Sequence, residues 1–136
     1  MLRIVLYLSA LLCVAAAPSP YAEGQVWTYK ARAQDTGSLV KIQKIEDDPA
    51  GPIFHVSLIG IRVNGSTTSL QHAPVSRKTL DESVIRQVAD PGSFPDPSEG
   101  IAEWRRAQGG VFTISLAQIA SMIADTVGKQ QGVPVT

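Results

Sequence analysis

Three side chains in this sequence have the types and spacing for acid–base or nucleophilic chemistry: His55, Ser57 and His72, with the two histidines being all that the chain has. Histidine matters because its ordinary pKa lies close to neutrality. In the string FHVSLIGIRV (54–63), His55 and Ser57 stand two residues apart. On a strand that spacing puts both on one face, about 6–7 Å apart at Cα. A serine beside a histidine, with Glu46 or Asp48 orienting the ring, is the pattern of a small hydrolase. No strained turn presents Ser57 as a nucleophile, and no glycine-rich loop supplies oxyanion donors. The competing expectation for His55 is a core histidine held by hydrogen bonds beneath a helix. His72 precedes Ala73-Pro74. Proline keeps the residue before it extended, so His72 is expected at a strand-to-helix junction. Loops and junctions are where binding groups gather.

Binding chemistry has a second candidate in Trp104-Arg105-Arg106. Tryptophan and arginine dominate recognition hot spots. His72, Trp104, Arg105 and Arg106, with the loop 90–100, form the candidate binding surface. Arg105 and Arg106 are otherwise expected on a solvated helix face. Metal chemistry has little support. Cys13 is the lone cysteine, and no pair of histidines has metal-ligand spacing on one helix. Gly109-Gly110 has no lysine placed for a phosphate loop. No metal and no cofactor are expected.

The elements that position these residues follow from periodicity. Residues 25–33 alternate, with Trp27, Tyr29, Ala31 and Ala33 on one side. Residues 39–46 alternate imperfectly, which a bulge near Gln43-Lys44 reconciles. Residues 53–63 carry apolar side chains on both faces, with Phe54, Val56 and Leu58 on one, and His55, Ser57, Ile59 and Ile61 on the other. That is the mark of a central strand. Asn64-Gly65 is a strong hairpin turn, with 66–72 returning. The pattern then becomes helical. Ser76 caps a helix to about Ala89, its stripe formed by Leu80, Val84, Ile85 and Val88. The stretch DPGSFPDPSEG (90–100) is a loop. A short helix, 99–107, buries Ile101 and Trp104. A last one follows Ser115, with Leu116, Ile119, Ala120, Ile123 and Val127 on one side and Gly128 as its stop. Strands first and helices second predict an α+β domain. It is a three- to four-stranded antiparallel meander followed by two or three helices packed on one face.

Residues 1–17 have the layout of a secretory signal peptide: Arg3, an apolar middle, then Ala15-Ala16-Ala17. Cleavage is expected between 16 and 22. The apolar run, about fourteen residues, is short for a membrane span. Residues 18–24 are expected to be a flexible leader, 25–128 one domain, and 129–136 a frayed tail. Cys13 leaves with the leader, so no disulfide is expected in the exported chain. Without Arg3 there are eleven basic and twelve acidic side chains, with no block of like charge. That balance gives no electrostatic case for nucleic acid.

Seven strings, GQVWTYKAR (24–32), KIQKIED (41–47), FHVSLIGIRV (54–63), HAPVS (72–76), TLDESV (79–84), IAEWRRA (101–107) and GVFTI (110–114), together resemble a group of small bacterial proteins without an assigned activity. The resemblance spans most of the exported region. It implies one intact domain and a bacterial source, and brings no catalytic motif.

The expected function is a small exported, non-enzymatic domain, periplasmic or secreted, that binds a protein or other envelope partner. The alternatives are a hydrolase using His55, Ser57 or His72, and a carrier enclosing an apolar ligand. The binding reading calls for an exposed recognition patch, the hydrolase for converging polar groups in a pocket, and the carrier for a cavity between sheet and helices.

Overall fold

The structure, a computed structural model, describes residues 19–131. The expected leader 1–17 and most of the tail lie outside the described residues. Five strands form one antiparallel sheet: β1 (Val26–Tyr29), β2 (Leu39–Glu46), β3 (Ile53–Val63), β4 (Ser66–Ser76) and β5 (Val84–Val88), in the order β4-β3-β2-β1-β5. Three α-helices follow or interrupt them: α1 (Arg77–Ser83), α2 (Ser98–Arg106) and α3 (Leu116–Gln131). A 3-10 turn, Ala33–Asp35, links β1 to β2. The fold is α+β, with one strand more than the meander expected from sequence.

The extra strand comes from the second half of the predicted 76–89 helix. That helix stops at Ser83, and Val84–Val88 pairs antiparallel with β1. Val84, Ile85 and Val88 satisfy a helical stripe as well as a strand. Their β-branched side chains favour the strand once β1 offers an unpaired edge.

The bulge expected in β2 is present, as a register shift between Ile42 and Lys44 against β3. A second irregularity lies in β3 between Leu58 and Ile61. Gly60 takes a φ of +80° there, and a Cβ on it would lie 3.1 Å from the Ser38 Cα. The shift turns Ile61 and Val63 onto the same side as Phe54, Val56 and Leu58, where both are buried. Ile61 is therefore not on the His55 face.

That first face carries the main core. Val40, Ile42, Phe54, Val56, Leu58 and Val75 pack there against Leu80 of α1 and Leu116, Ile119 and Ala120 of α3. Ser115 and Gln118 cap α3 reciprocally: the Gln118 N–H donates to Ser115 Oγ at 3.2 Å, and the Ser115 N–H to Gln118 Oε1 at 3.0 Å. Helix α3 continues through Gly128 to Gln131, past the stop expected there.

The expected flexible leader is also tied down in its described part. Tyr21 is buried, stands edge-on to Trp27 and Phe54, and donates its hydroxyl to Asp81 at 2.6 Å. Burial, then the Asp81 hydrogen bond, raises the pKa of that phenol. A large aromatic beside an apolar sheet gains more from burial than the short segment loses in freedom.

Alternation puts His55, Ser57, His72 and Pro74 on the reverse face. Helix α2 covers that face, while α1 and α3 cover the other.

Candidate functional site

The reverse face is built from polar side chains of β2, β3 and β4 beneath α2 and the loop before it. β3 contributes His55 and Ser57, both with no exposure to solvent. β4 contributes His72, which is half-buried. Pro74 is tolerated because β4 is an edge strand, where a missing N–H breaks no ladder. β2 contributes Gln43, the bulged residue, together with Lys44 and Glu46. α2 contributes Trp104 and Arg105.

The two histidines touch. His55 Nδ1 lies 2.7 Å from His72 Nε2, and the rings stack with centroids 5.0 Å apart. Trp104 stands edge-on to His55, also at 5.0 Å. On the other side of the His55 ring, Nε2 lies 3.4 Å from Glu46 Oε1 without hydrogen-bond alignment. Arg105 forms an ion pair with that same Glu46 oxygen. Electrostatics selects one tautomer for the chain. With His72 Nε2–H donating to His55 Nδ1, the single N–H of His55, on Nε2, faces the Glu46 carboxylate. The opposite choice would aim a lone pair at it.

Both imidazoles are held neutral. Burial, followed by the neighbouring His55, pushes His72 down to about 4. Burial, followed by the charge of Lys44, lowers His55 as well. Two imidazolium rings in contact would repel, and the buried ring has no water to disperse its charge.

Ser57 is not part of this chain. Its hydroxyl donates to the Gln71 carbonyl at 2.6 Å and accepts from Gln43 Nε2 at 3.2 Å. The serine–histidine pair that the strand spacing allowed is not made. Gln43 Nε2 also lies 3.2 Å from the Pro95 carbonyl, tying the loop 90–98 to the sheet. Among the described residues, no group of three histidine, cysteine, aspartate or glutamate side chains is placed to hold a metal.

Of the candidate binding residues, His72, Trp104 and Arg105 meet around His55, so the two rival sets of candidates are parts of one cluster. Arg106 stands apart, exposed and paired with Glu103 on the surface of α2. Glu46 was visible from sequence as a partner for the His55 ring. Gln43 was legible only as a bulge position.

Two glycines make the α2 lid fit. A Cβ on Gly100 would lie 2.6 Å from the His72 Cβ, and one on Gly109 would collide with the Trp104 indole. Trp104 Nε1 donates to the Gly110 carbonyl at 2.9 Å, and so fixes the chain as it leaves α2. That chain, 110–113, borders an open groove of about 370 Å³ at the end of the sheet. Ile53 and Ser76 lie along it, with Arg77 and Lys78 on one side and the 48–52 turn on the other. It opens at the surface instead of being enclosed between sheet and helices.

These features define an α+β domain with a histidine pair packed beneath a helix and an open groove at the end of the sheet. No family model, no curated protein and no solved structure matches the chain.

Proposed function

We propose that the protein is an exported, non-enzymatic domain that binds a protein partner in the cell envelope or outside the cell. One observation carries this reading. Of the side chains able to do chemistry, His55 and Ser57 are fully buried and the half-buried His72 turns its Nε2 to His55, whereas the groove at the end of the sheet is open and lined by apolar and charged residues. A nucleophile needs access to substrate, while a recognition surface needs shape and a rigid backing. Trp104 supplies part of that backing by holding the Gly110 carbonyl, and Arg105 and Arg106 are exposed on α2. Export is supported by the layout of residues 1–17. The burial of Tyr21 favours cleavage before that residue over a cut after Ala22, which would remove it from the core.

The test is site-specific photocrosslinking in the protein's own host, using the full chain with its leader. A photoreactive side chain is placed at Arg105 or Thr113, and at exposed Gln34 or Thr67 as controls. One discrete adduct from the first two positions and none from the controls is expected. An absence of adducts at all four positions removes the binding reading. N-terminal sequencing of the recovered protein addresses export, with a start ahead of Tyr21 expected and an intact Met1 counting against it.

A further inference from the structure

Segment 110–113 uses only one of its two backbone sides. Phe112 forms a parallel bridge with Val75 of β4. Its N–H donates to the Pro74 carbonyl, and its own carbonyl accepts from the Ser76 N–H, both at 2.9 Å. Successive residues of an extended chain aim their backbone groups to opposite sides. The N–H and C=O groups of Val111 and Thr113 therefore point away from β4. Among the described residues they make no hydrogen bond.

The segment is held firmly on its inner side. The Thr79 hydroxyl reaches the carbonyls of Phe112 and Ile114 at 3.1 and 2.7 Å, and Trp104 holds Gly110. A hollow of about 250 Å³ is lined by Gly110, Val111 and Phe112. Val111 also lines the larger groove of about 370 Å³, so the two hollows meet at this residue.

We propose that an extended, acidic peptide segment of a partner protein binds here, pairing its backbone with Val111–Thr113 and sending alternate side chains into the groove toward Arg77 and Lys78. This rests on the reading of the protein as a partner-binding domain and names the chemistry of the partner. A free donor and acceptor on alternate residues match another extended backbone, while adjoining hollows select its side chains. Charge sets the preference for acid. The groove lining carries Arg77 and Lys78 against one carboxylate, Asp48, which already accepts the Ala50 N–H at 3.0 Å. Arg77 and Lys78 pair with Asp81 and Glu82 along the exposed side of α1, at 3.4 and 2.7 Å. Such exposed pairs are weak, so an arriving carboxylate shares the cations at little loss. The rigid backing lowers the ordering entropy lost on binding.

The experiment follows backbone amide signals of the isotope-labelled exported protein during titration with two synthetic peptides. One is an acetylated heptapeptide of alternating threonine and valine ending in two glutamates. The other ends in two lysines. The acidic peptide is expected to shift the Val111 and Thr113 amides in a saturable way, more tightly than the basic one. The double variant Arg77→Ala, Lys78→Ala, altered only at surface positions, should weaken that binding by up to about fivefold, the size of one exposed ion pair. Unchanged Val111 and Thr113 signals overturn the proposal, as does an equal response to both peptides or a response centred on β5. If the groove stays silent while Arg105 still yields a crosslinked partner, the peptide proposal falls and the partner-binding reading stands. If the crosslinks are also absent, both fall.

Discussion

Two buried polar clusters brace the same sheet, and they accommodate burial in opposite ways. At one end of β3, Asp35 is fully buried and charged. It accepts two hydrogen bonds from Arg32, at 2.6 and 2.9 Å, and one from the Arg62 N–H at 2.8 Å. Burial alone would raise its carboxyl pKa, but those hydrogen bonds more than offset it and leave the pKa below the ordinary value. Toward the other end, His55 and His72 are kept neutral, and His55 Nε2 is left without a hydrogen-bond partner. A charge survives burial when a counter-charge and several hydrogen bonds compensate it, whereas an imidazole survives by giving up its proton. The first cluster is therefore a structural rivet. The second joins β3 and β4 beneath α2 through two neutral rings.

Four changes test that contrast, the largest first. Asp35→Ala should destabilise the protein by about 3–5 kcal/mol in chemical denaturation, because it strands Arg32 and the Arg62 N–H. A loss under about 1 kcal/mol would mean that the rivet is ornamental. Gly109→Ala should follow at about 1–3 kcal/mol, since its methyl collides with the Trp104 ring that packs on His55. Its signature is changed tryptophan fluorescence with the Asp35 end unaffected. Tyr21→Phe should cost about 1 kcal/mol by removing the hydrogen bond to Asp81.

The smallest effect at neutral pH is expected from the double variant His55→Leu, His72→Leu. Both partners of a hydrogen bond go together, so stability at pH 7.5 should stay within about 1 kcal/mol of wild type. Its pH dependence is the sharper measurement. The folded histidines titrate below their ordinary value of 6.5, His72 at about 4. Between those values the unfolded chain binds more protons. The histidine contribution is therefore complete above 6.5 and declines as pH falls, the His72 share levelling off below about 4. Asp35 acts lower, its contribution being lost as pH falls from the ordinary 3.8 through its depressed folded value. The chain has two histidines in all, so thermal unfolding of the double variant should lose the slope between 6.5 and 4 and keep the acidic one. An unchanged slope in the upper window would erase the distinction between the clusters.

Much of the local structure was legible in the residues. The Asn64-Gly65 turn, with φ of 50° and 78°, the Ser76 cap that accepts from the Thr79 N–H, the β2 bulge and the apolar face of α3 all lie where the pattern predicts them. The reason is that each depends on a few neighbouring side chains. Val84–Val88 was misread because its short apolar pattern fits two periods, and only an unpaired edge on β1 decides between them. Tyr21 was misread because the value of burying it depends on Trp27, Phe54 and Asp81, which its flanking residues do not reveal.

The candidate site divides along the same line. Sequence by itself determined that His55 and Ser57 share a strand face, that Trp104 and Arg105 ride on a short helix, and that Pro74 holds the chain extended after His72. These follow from backbone periodicity and the fixed φ of proline, which act over a few residues. Tertiary structure alone decided that His55 meets His72 instead of Ser57, that of Glu46 and Asp48 it is Glu46 that faces the ring, that Arg105 joins the cluster, and that Val111–Thr113 presents unpaired backbone to a groove. Those outcomes depend on the register between strands and on the face where α2 lands, and both are set by packing among residues far apart in the chain.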